Sequence, residues 1–193
     1  MNVQAVINRV KNILLKPVSE WQVVKTETTT QREIILNYAV PLLVLGAIAA
    51  IIGNLLLSSR YGVGNALIYS LLITIVYPLV VMYLTAWVIN ELAPSFNSKK
   101  DFTAAFKLVV YSYTAVMVAA IIANLHWTIG WVGIFGLYSI YLFWTGVTPM
   151  METPEDKKLG YVLVSALVLI GITLVLTLLL TPLFLATTVR SVL

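Results

Sequence analysis

The sequence predicts an all-α integral membrane protein: a bundle of five transmembrane helices with an N-terminal amphipathic helix at the membrane interface. Of the 193 residues, 60% are hydrophobic and only 10% are charged, against about a quarter in an ordinary soluble domain. Five apolar runs are each long enough to cross a hydrocarbon core of about 30 Å. The runs do not alternate as barrel strands do, and a helix pairs its own backbone groups in lipid.

The chain is predicted to form a single membrane domain, residues 1–193, that contains all five runs. Residues 1–30 form a polar and amphipathic segment on the cytoplasmic side. The transmembrane helices are predicted at residues 34–57, 65–89, 104–123, 128–149 and 159–186. No acidic or basic residue lies in the middle of any run, which disfavours ion-coupled pumps and proton relays because both need such groups.

The first 30 residues are predicted to contact the membrane surface. Residues 3–15 have helical periodicity with apolar residues on one face. Such a helix lies in the membrane interface or packs on the inner ends of the bundle, and the sequence leaves both alternatives open. Pro17 ends this helix, and Trp21 is predicted at the depth of the lipid headgroups, where an indole is favoured.

The distribution of basic residues predicts the orientation. Ten of the twelve Lys and Arg residues fall in the N-terminal segment and around the loops after the second and fourth runs, whereas only Arg60 and Arg190 fall on the other side. Loops on the cytoplasmic side of a membrane protein carry an excess of Lys and Arg. We therefore expect a cytoplasmic N-terminus and, after five spans, an external C-terminus. Lys99 and Lys100 join Pro17 and Trp21 as predicted contacts with partners or the membrane surface.

Capping boxes are predicted at the three helix starts on that side. A capping box pairs a Ser or Thr with an acidic or amide side chain three residues later. The sequence offers Thr30 with Glu33, Ser98 with Asp101, and Thr153 with Asp156. Pro154 is predicted at the first helical position of the last span.

The residue types disfavour an enzyme. The chain has no Cys and one His, so it lacks thiolate chemistry and cannot form a His-Glu-x-x-His zinc site. It also has no Gly-x-Ser-x-Gly nucleophile elbow. We therefore predict no enzymatic activity and no cofactor or metal. Nucleic acid is not expected as a partner, because the basic residues lie between apolar runs.

Small residues indicate close helix contacts. Ala115, Ala119 and Ala123 recur every four residues on the third run, and such spacing lets helices approach closely in lipid. These contacts either hold the chain's own helices together or form a face for a homo-oligomer or another membrane protein. The lipid bilayer itself is the one partner that the composition requires.

Alternatively, the transmembrane helices form a path for a small solute. Pro78 breaks the backbone hydrogen bonding near the centre of the second run. Tyr138 and Tyr141 lie within the fourth run, and His126 lies in the short outer loop before it. Pro78, Tyr138 and Tyr141 would line a polar cavity between the second and fourth helices, and His126 would lie at its outer mouth.

Several short motifs resemble those of the Yip-type (Ypt-interacting-protein) membrane family, in its bacterial branch. They are Leu14, Leu15, Lys16, Pro17 and Trp21; Pro41; Phe106, Lys107, Leu108, Tyr111 and Ser112; Gly136, Leu137, Tyr138, Ser139, Ile140 and Tyr141; and Gly146, Pro154, Lys158, Gly160 and Tyr161. The resemblance implies five spans, a cytoplasmic N-terminus, the bacterial inner membrane and no known catalysis. Ala115 stands where the family would have proline, and the Asp-Leu-x-Gly-Pro motif of the eukaryotic branch is absent. The resemblance therefore does not extend to small-GTPase binding.

The sequence leads to two functional hypotheses. The first is a non-enzymatic multi-pass membrane protein that organises partner proteins or lipids through helix contacts and its cytoplasmic face. The alternative is a channel or transporter for a small neutral or weakly polar solute.

Overall fold

The computed structural model describes residues 3–57, 71–125 and 132–190, with side chains described for 3–53, 71–124 and 134–180. The regular structure of these residues is helical throughout, which confirms the all-α class. The helices are α1 (Val3–Leu15), α2 (Pro17–Thr26), α3 (residues 31–57), α4 (Leu72–Phe96), α5 (Phe102–Ser112), α6 (Thr114–Leu125), α7 (Val132–Met151) and α8 (Glu155–Arg190).

Helices α1 and α2 form a hairpin, called here the N-terminal hairpin. Pro17 occupies the first turn of α2, where its fixed φ suits a helix and its missing N–H costs nothing. Arg9, in the middle of α1, reaches both Glu20 and Glu27. These ion pairs require the two helices to fold back on each other.

Two of the spans contain a wide π turn just before a proline. In α3 the turn covers Ile35–Ala39 and precedes Pro41. In α4 it covers Leu72–Val76 and precedes Pro78. A proline ring clashes with the carbonyl four residues earlier in an α-helix, and a π turn changes that spacing. The prolines therefore lie in continuous spans without a complete break.

The third span is interrupted at Tyr113, which separates α5 from α6. Tyr113 has φ −73° and ψ −5°, at the edge of the right-handed helical region next to the bridge conformation. Its N–H still donates to the carbonyl of Val109 at 3.0 Å. The span thus changes its local geometry at this residue while its hydrogen bonding continues.

One of the three predicted capping boxes forms. Thr30 and Glu33 bond to each other's backbone N–H groups as predicted. At α5 the cap is Asp101 alone, which accepts from the Ala104 N–H at 3.1 Å. The hydroxyl of Ser98 instead donates to the hydroxyl of Thr153 at 2.9 Å.

This bond between hydroxyls also removes the box predicted at α8. Pro154 lies just before Glu155, the first residue of α8, rather than inside the helix. Its carbonyl accepts from the N–H groups of Lys157 and Lys158. The predicted capping residues Ser98 and Thr153 therefore tie two loops together, which sequence spacing could not indicate.

Five helices are long and apolar enough to span a membrane, within the part of the chain that the structure describes. They cover Gln31–Gly53, Leu72–Phe96, Phe102–Asn124, Ile134–Met151 and Glu155–Leu180. These correspond in order to the five predicted runs. The second and fifth differ most, because α4 continues to Phe96 through a 3-10 turn and α8 begins at Glu155.

The third span forms the centre of the bundle and is the most buried of the five candidate spans. Helix α3 packs along α6, α4 packs along α5, and α7 contacts α5, α6 and α2. Ala115 and Ala119 of α6 are buried, so the small residues serve contacts between the chain's own helices. Helix α8 packs on α4 and α7, and its outer leucines, such as Leu167 and Leu178, are mostly exposed for contact with lipid.

Candidate functional site

Trp21 anchors the N-terminal hairpin to the fourth span. Its indole is fully buried, and its Nε1–H donates to the carbonyl of Leu142 at 3.1 Å and the hydroxyl of Thr145 at 3.2 Å. The indole fits against Gly146, where an added Cβ would lie 2.7 Å from both Trp21 Cζ2 and Leu108 Cδ1. Only glycine leaves room for this contact.

This position corrects the predicted role of Trp21 at the headgroup depth. The indole contacts protein on all sides instead of lipid headgroups, because α2 lies against α7 and Gly146 opens a slot for it. Pro17 is also buried. The amphipathic segment thus packs on the bundle, while Val3, Ile7 and Leu15 of α1 stay exposed, so a position at the membrane interface stays a prediction.

A compact charge cluster holds the two helices of the hairpin together. The Arg9 guanidinium donates to Glu20 Oε1 at 2.5 Å and also pairs with Glu27. It lies 5.5 Å from the centre of the Tyr111 ring on α5, in reach of a cation–π interaction. Burial acts to lower the pKa of Arg9, but interactions with Tyr111, Glu27 and Glu20 outweigh it and raise the pKa. The guanidinium therefore remains charged.

Lys107 fixes the end of α2. Its side chain is buried, and its ammonium donates to the carbonyls of Glu27 at 2.5 Å and Val24 at 3.4 Å. Helix C-terminal carbonyls lack intrahelical donors, and a lysine supplies them. The third span thus binds the hairpin at its last turn.

Tyr138 binds the other end of the hairpin. Its hydroxyl donates to the carbonyl of Leu14, in the last turn of α1, at 2.5 Å. Tyr141 lies on the next turn of α7 with 46% of its surface exposed. The two rings are 5.5 Å apart. The hydroxyl of Tyr138 therefore serves the hairpin and is not directed to a solute.

Hydrogen bonds join the loop between α4 and α5 to the loop between α7 and α8, on the same side of the bundle as the hairpin. The Lys99 N–H donates to the carbonyl of Met151 at 2.8 Å, next to the bond between Ser98 and Thr153. We call the hairpin together with residues 97–101 and 152–154 the N-terminal face. Lys100 pairs with Glu91 at 2.6 Å, whereas Lys99 is exposed and lies 3.9 Å from Asp101 and Glu152.

The N-terminal face contains a polar basin of about 260 Å³. Its lining residues come from the end of the hairpin, the two loops and the start of α5: Lys25, Glu27, Thr28, Thr29, Lys99, Asp101, Thr103, Ala104, Lys107, Met150 and Glu152. Lys99 therefore lines the basin and Lys100 does not. Among the described residues, no group of three or more His, Cys, Asp or Glu could hold a metal ion.

A second cavity, of about 120 Å³, lies within the bundle between α4, α5, α7 and α8. It lies between the second and fourth spans, where a solute path was predicted. However, its lining is largely apolar, and Pro78, Tyr138 and Tyr141 are not part of it. Pro78 lies just after the π turn of α4, and the hydroxyl of Tyr138 is bonded to the hairpin. His126 lies outside the described residues.

A family model describes most of this fold. Residues 11–178 match the Yip1 domain. The chain belongs to the Yip1 family. No curated protein and no solved structure matches it.

Motif residues of this Yip1-family chain meet at the hairpin. Trp21 contacts Leu108 and Gly146, its ring lies 6.3 Å from that of Tyr111, and Lys107 caps α2. These residues are far apart in the sequence. Their convergence gives these motif residues a structural role in seating the hairpin on α5 and α7.

Several residues of these sites were not predicted. The ion pairs of Arg9 with Glu20 and Glu27 were missed, because they join α1 to α2 and to the residue that directly follows α2. The hydroxyls that line the inner cavity were also missed, because isolated Ser and Thr residues on different spans form no local pattern. Only the packing of the spans brings them together.

Proposed function

We propose that this Yip1-family protein is a non-enzymatic membrane protein that organises partner proteins at its N-terminal face. The observation that supports this function is the polar basin, which the hairpin and two loops form together. Its walls combine fixed backbone positions with exposed charges such as Lys25, Lys99 and Glu152. A surface of this kind suits recognition of a polar segment of another protein, since it carries side chains of both signs.

The balance of charge favours a protein over an anionic lipid headgroup. Three lysines and three carboxylates, those of Glu27, Asp101 and Glu152, line the basin. The ammonium of Lys107 is already bound to backbone carbonyls. A phosphate group would therefore meet carboxylates as well as the remaining lysines. A polypeptide with both acidic and basic side chains matches this lining better.

The proposal includes the orientation. We place the N-terminal face in the cytoplasm and the C-terminus outside, in the inner membrane of a bacterium. The excess of Lys and Arg on the predicted cytoplasmic side supports this orientation. The basin would then be accessible to cytoplasmic proteins and to cytoplasmic segments of membrane proteins.

The test uses photo-crosslinking from the basin in intact cells. A photoreactive amino acid replaces Thr28, which is exposed and lines the basin. The second variant adds Lys25→Glu and Lys99→Glu, and the matched control adds Lys100→Glu, which lies in the same loop outside the basin. We expect discrete protein adducts at Thr28, reduced about tenfold by the double reversal, as the loss of favourable charge contacts predicts. The control should leave them unchanged.

Two results would contradict the proposal. The first is an equal loss of adducts with Lys100→Glu, because the effect would then come from net charge alone. The second is a set of adducts at Thr28 that contains lipid and no protein. A photoreactive residue at Leu167, on the exposed side of α8, gives the background of lipid contacts.

The channel or transporter alternative rests on the inner cavity between α4 and α7. The described residues chosen for its path do not line that cavity, as the positions of Pro78, Tyr138 and Tyr141 show. We therefore give the organising role preference, and flux measurements in liposomes test the alternative.

A further inference from the structure

Two residues other than glycine have a positive φ in the described part of the chain, and each directly follows a span. Asn97 follows α4 and Glu152 follows α7, both with φ 53°. At such a φ the Cβ is crowded against the backbone. Glycine is the usual residue after a helix in this conformation and asparagine is tolerated, whereas glutamate is uncommon there. Asn97 therefore suits its position, and Glu152 is strained.

The surrounding structure holds Glu152 in this conformation. Its two neighbours, Met151 and Thr153, are 0% and 2% exposed. The Met151 carbonyl accepts from the Lys99 N–H at 2.8 Å. The Thr153 hydroxyl accepts from the Ser98 hydroxyl at 2.9 Å. Because both neighbours are anchored to the other loop, the backbone of Glu152 cannot relax without separating the two loops.

The carboxylate of Glu152 contributes little to the stability of the fold. Its side chain is 53% exposed, and its ion pair with Lys99 is 3.9 Å long, too long for a hydrogen bond. Lys99 is 54% exposed and lies equally far from Asp101. Exposed pairs of this kind are worth little. A glycine at this position would therefore remove the strain with almost no loss of contacts.

A strained residue with so little structural use indicates a functional constraint. Glu152 lines the polar basin of about 260 Å³, next to Lys99 and opposite the end of the hairpin. The backbone thus presents an exposed carboxylate to the basin. Among the described residues, no group of three or more His, Cys, Asp or Glu could hold a metal ion. The cation that matches this carboxylate is therefore a basic side chain.

We propose that Glu152 determines the specificity of the basin by binding a basic side chain of the partner protein. A guanidinium can bond to both oxygens of a carboxylate, so arginine matches best. Lys25 and Lys99 in the same lining then face acidic side chains of the same partner segment. This inference rests on the proposed function, and it adds the charge that the partner presents to one wall of the basin.

Photo-crosslinking from Thr28 in intact cells tests the role of Glu152. Glu152→Gly removes both the strain and the carboxylate, whereas Glu152→Gln removes the charge and keeps the shape of the side chain. Asn97→Gly is the matched control, because it changes the corresponding position of the other loop, outside the basin lining. Thermal unfolding in detergent is measured for each variant.

Glu152→Gly should unfold at a temperature no lower than that of the parent protein, because it relieves the strain. It should nevertheless reduce the protein adducts at Thr28 about tenfold, the size expected when one charge-assisted contact is lost. Glu152→Gln should reduce them to a similar extent, and Asn97→Gly should leave them unchanged. A purely structural role of Glu152 would not separate binding from stability in this way.

A charge exchange identifies the group on the partner. Mass spectrometry locates the partner peptide that is joined to Thr28, and each Arg or Lys in that peptide is changed to Glu. One of these changes should restore the adducts that Glu152→Lys removes, because the two charges have only exchanged sides. The same change in the partner should reduce the adducts of the parent protein.

The outcomes separate this inference from the proposed function. Undiminished protein adducts in both Glu152→Gly and Glu152→Gln would overturn the role of Glu152 and leave the organising function intact. The absence of protein adducts in the parent Thr28 variant would overturn both. A lower unfolding temperature of Glu152→Gly would contradict the strain, and failure of every charge exchange would contradict the basic group on the partner.

Discussion

At the scale of single residues, the contact between Trp21 and Gly146 determines how the N-terminal segment meets the spans. The indole is an amphipathic group that could lie at the membrane interface, yet here it is completely buried. Its N–H has two acceptors on α7, and the missing side chain at Gly146 provides the space. The two residues therefore act as a matched pair.

The first prediction concerns the glycine. Gly146→Ala should destabilise the protein by about 1–3 kcal/mol, because the new Cβ overlaps the buried indole and overpacked cores cost this much. Thermal unfolding in detergent measures the effect. Gly136→Ala is the control, since its Cβ meets no atom within 4 Å. An equal loss of stability in both variants would contradict the assigned contact.

The second prediction concerns the indole itself. Trp21→Ala should lower the free energy of unfolding by about 3–5 kcal/mol, as is usual when a buried aromatic side chain is truncated. Trp87→Ala, at a position that is 54% exposed, should have a much smaller effect in the same denaturation series. If Trp87→Ala is as damaging as Trp21→Ala, the anchor role of Trp21 is wrong.

The predictions for single residues failed where the position of a side chain depends on packing against residues distant in the sequence. Pro17 and Trp21 were recognised as important, but the burial of Trp21 depends on Gly146, more than 120 positions later. The capping residue Thr30 was placed correctly because its partner is three residues away. Ser98 was not, because its partner Thr153 is on another loop.

At the scale of elements, the N-terminal hairpin is a charged unit packed against apolar spans. Arg9 neutralises Glu20 and Glu27 within the hairpin. The side chains of the three residues are 18%, 10% and 24% exposed. Removing one partner of a largely buried ion pair leaves an uncompensated charge, which costs more than the pair contributes.

The third prediction follows from this cluster. Arg9→Met should destabilise the hairpin by about 3–5 kcal/mol, and limited proteolysis should then cleave near Lys16 and Lys25. Adding Glu20→Gln and Glu27→Gln should restore much of the protection, because no unpaired carboxylate remains. Lys100→Met, which breaks an exposed pair with Glu91, is the control and should change stability by about 1 kcal/mol or less. Failure of the triple variant to recover protection would contradict the charge argument.

The elements themselves were largely predictable from hydropathy. Five apolar runs gave five spans in the right order, because lipid demands long apolar helices whatever their partners. The interruption at Tyr113 and the π turns before Pro41 and Pro78 were not predicted in form. They depend on how each backbone adapts to its neighbours, which composition does not encode.

At the scale of the whole molecule, the proposed orientation has the two ends of the chain on opposite sides of the membrane, because the number of candidate spans is odd. The candidate spans and the Yip1 family model support a five-span membrane protein. Because the chain contains no Cys, single cysteines can report the side of each loop without background. This property makes the orientation directly measurable.

The fourth prediction assigns those sides. Lys99→Cys and Lys157→Cys should react with a membrane-impermeant maleimide only after the cells are permeabilised. Arg60→Cys, in the segment between the first and second predicted runs, should react in intact cells. The reverse pattern would invert the proposed orientation, and labelling of all three positions in intact cells would contradict five spans.

The fifth prediction addresses the alternative function. Purified protein in liposomes should pass small neutral solutes, such as glycerol or urea, no faster than empty vesicles do. The inner cavity is about 120 Å³, and its described lining contains no continuous polar path. Flux above the empty-vesicle value that falls in Gly136→Leu, which adds a side chain to the cavity lining, but not in Gly171→Leu outside that lining, would favour the transporter over the organiser.

The contact between Trp21 and α7 also has a consequence for biogenesis. The indole and its acceptor Leu142 are 121 residues apart, so the hairpin leaves the ribosome long before its docking surface exists. At about 5–20 residues per second, that interval is roughly 6 to 24 seconds. During this time the membrane surface, the insertion machinery or a chaperone must shelter the apolar side of the nascent hairpin. Translation slowed within the last two spans should prolong the exposure of the hairpin to proteases on its side of the membrane.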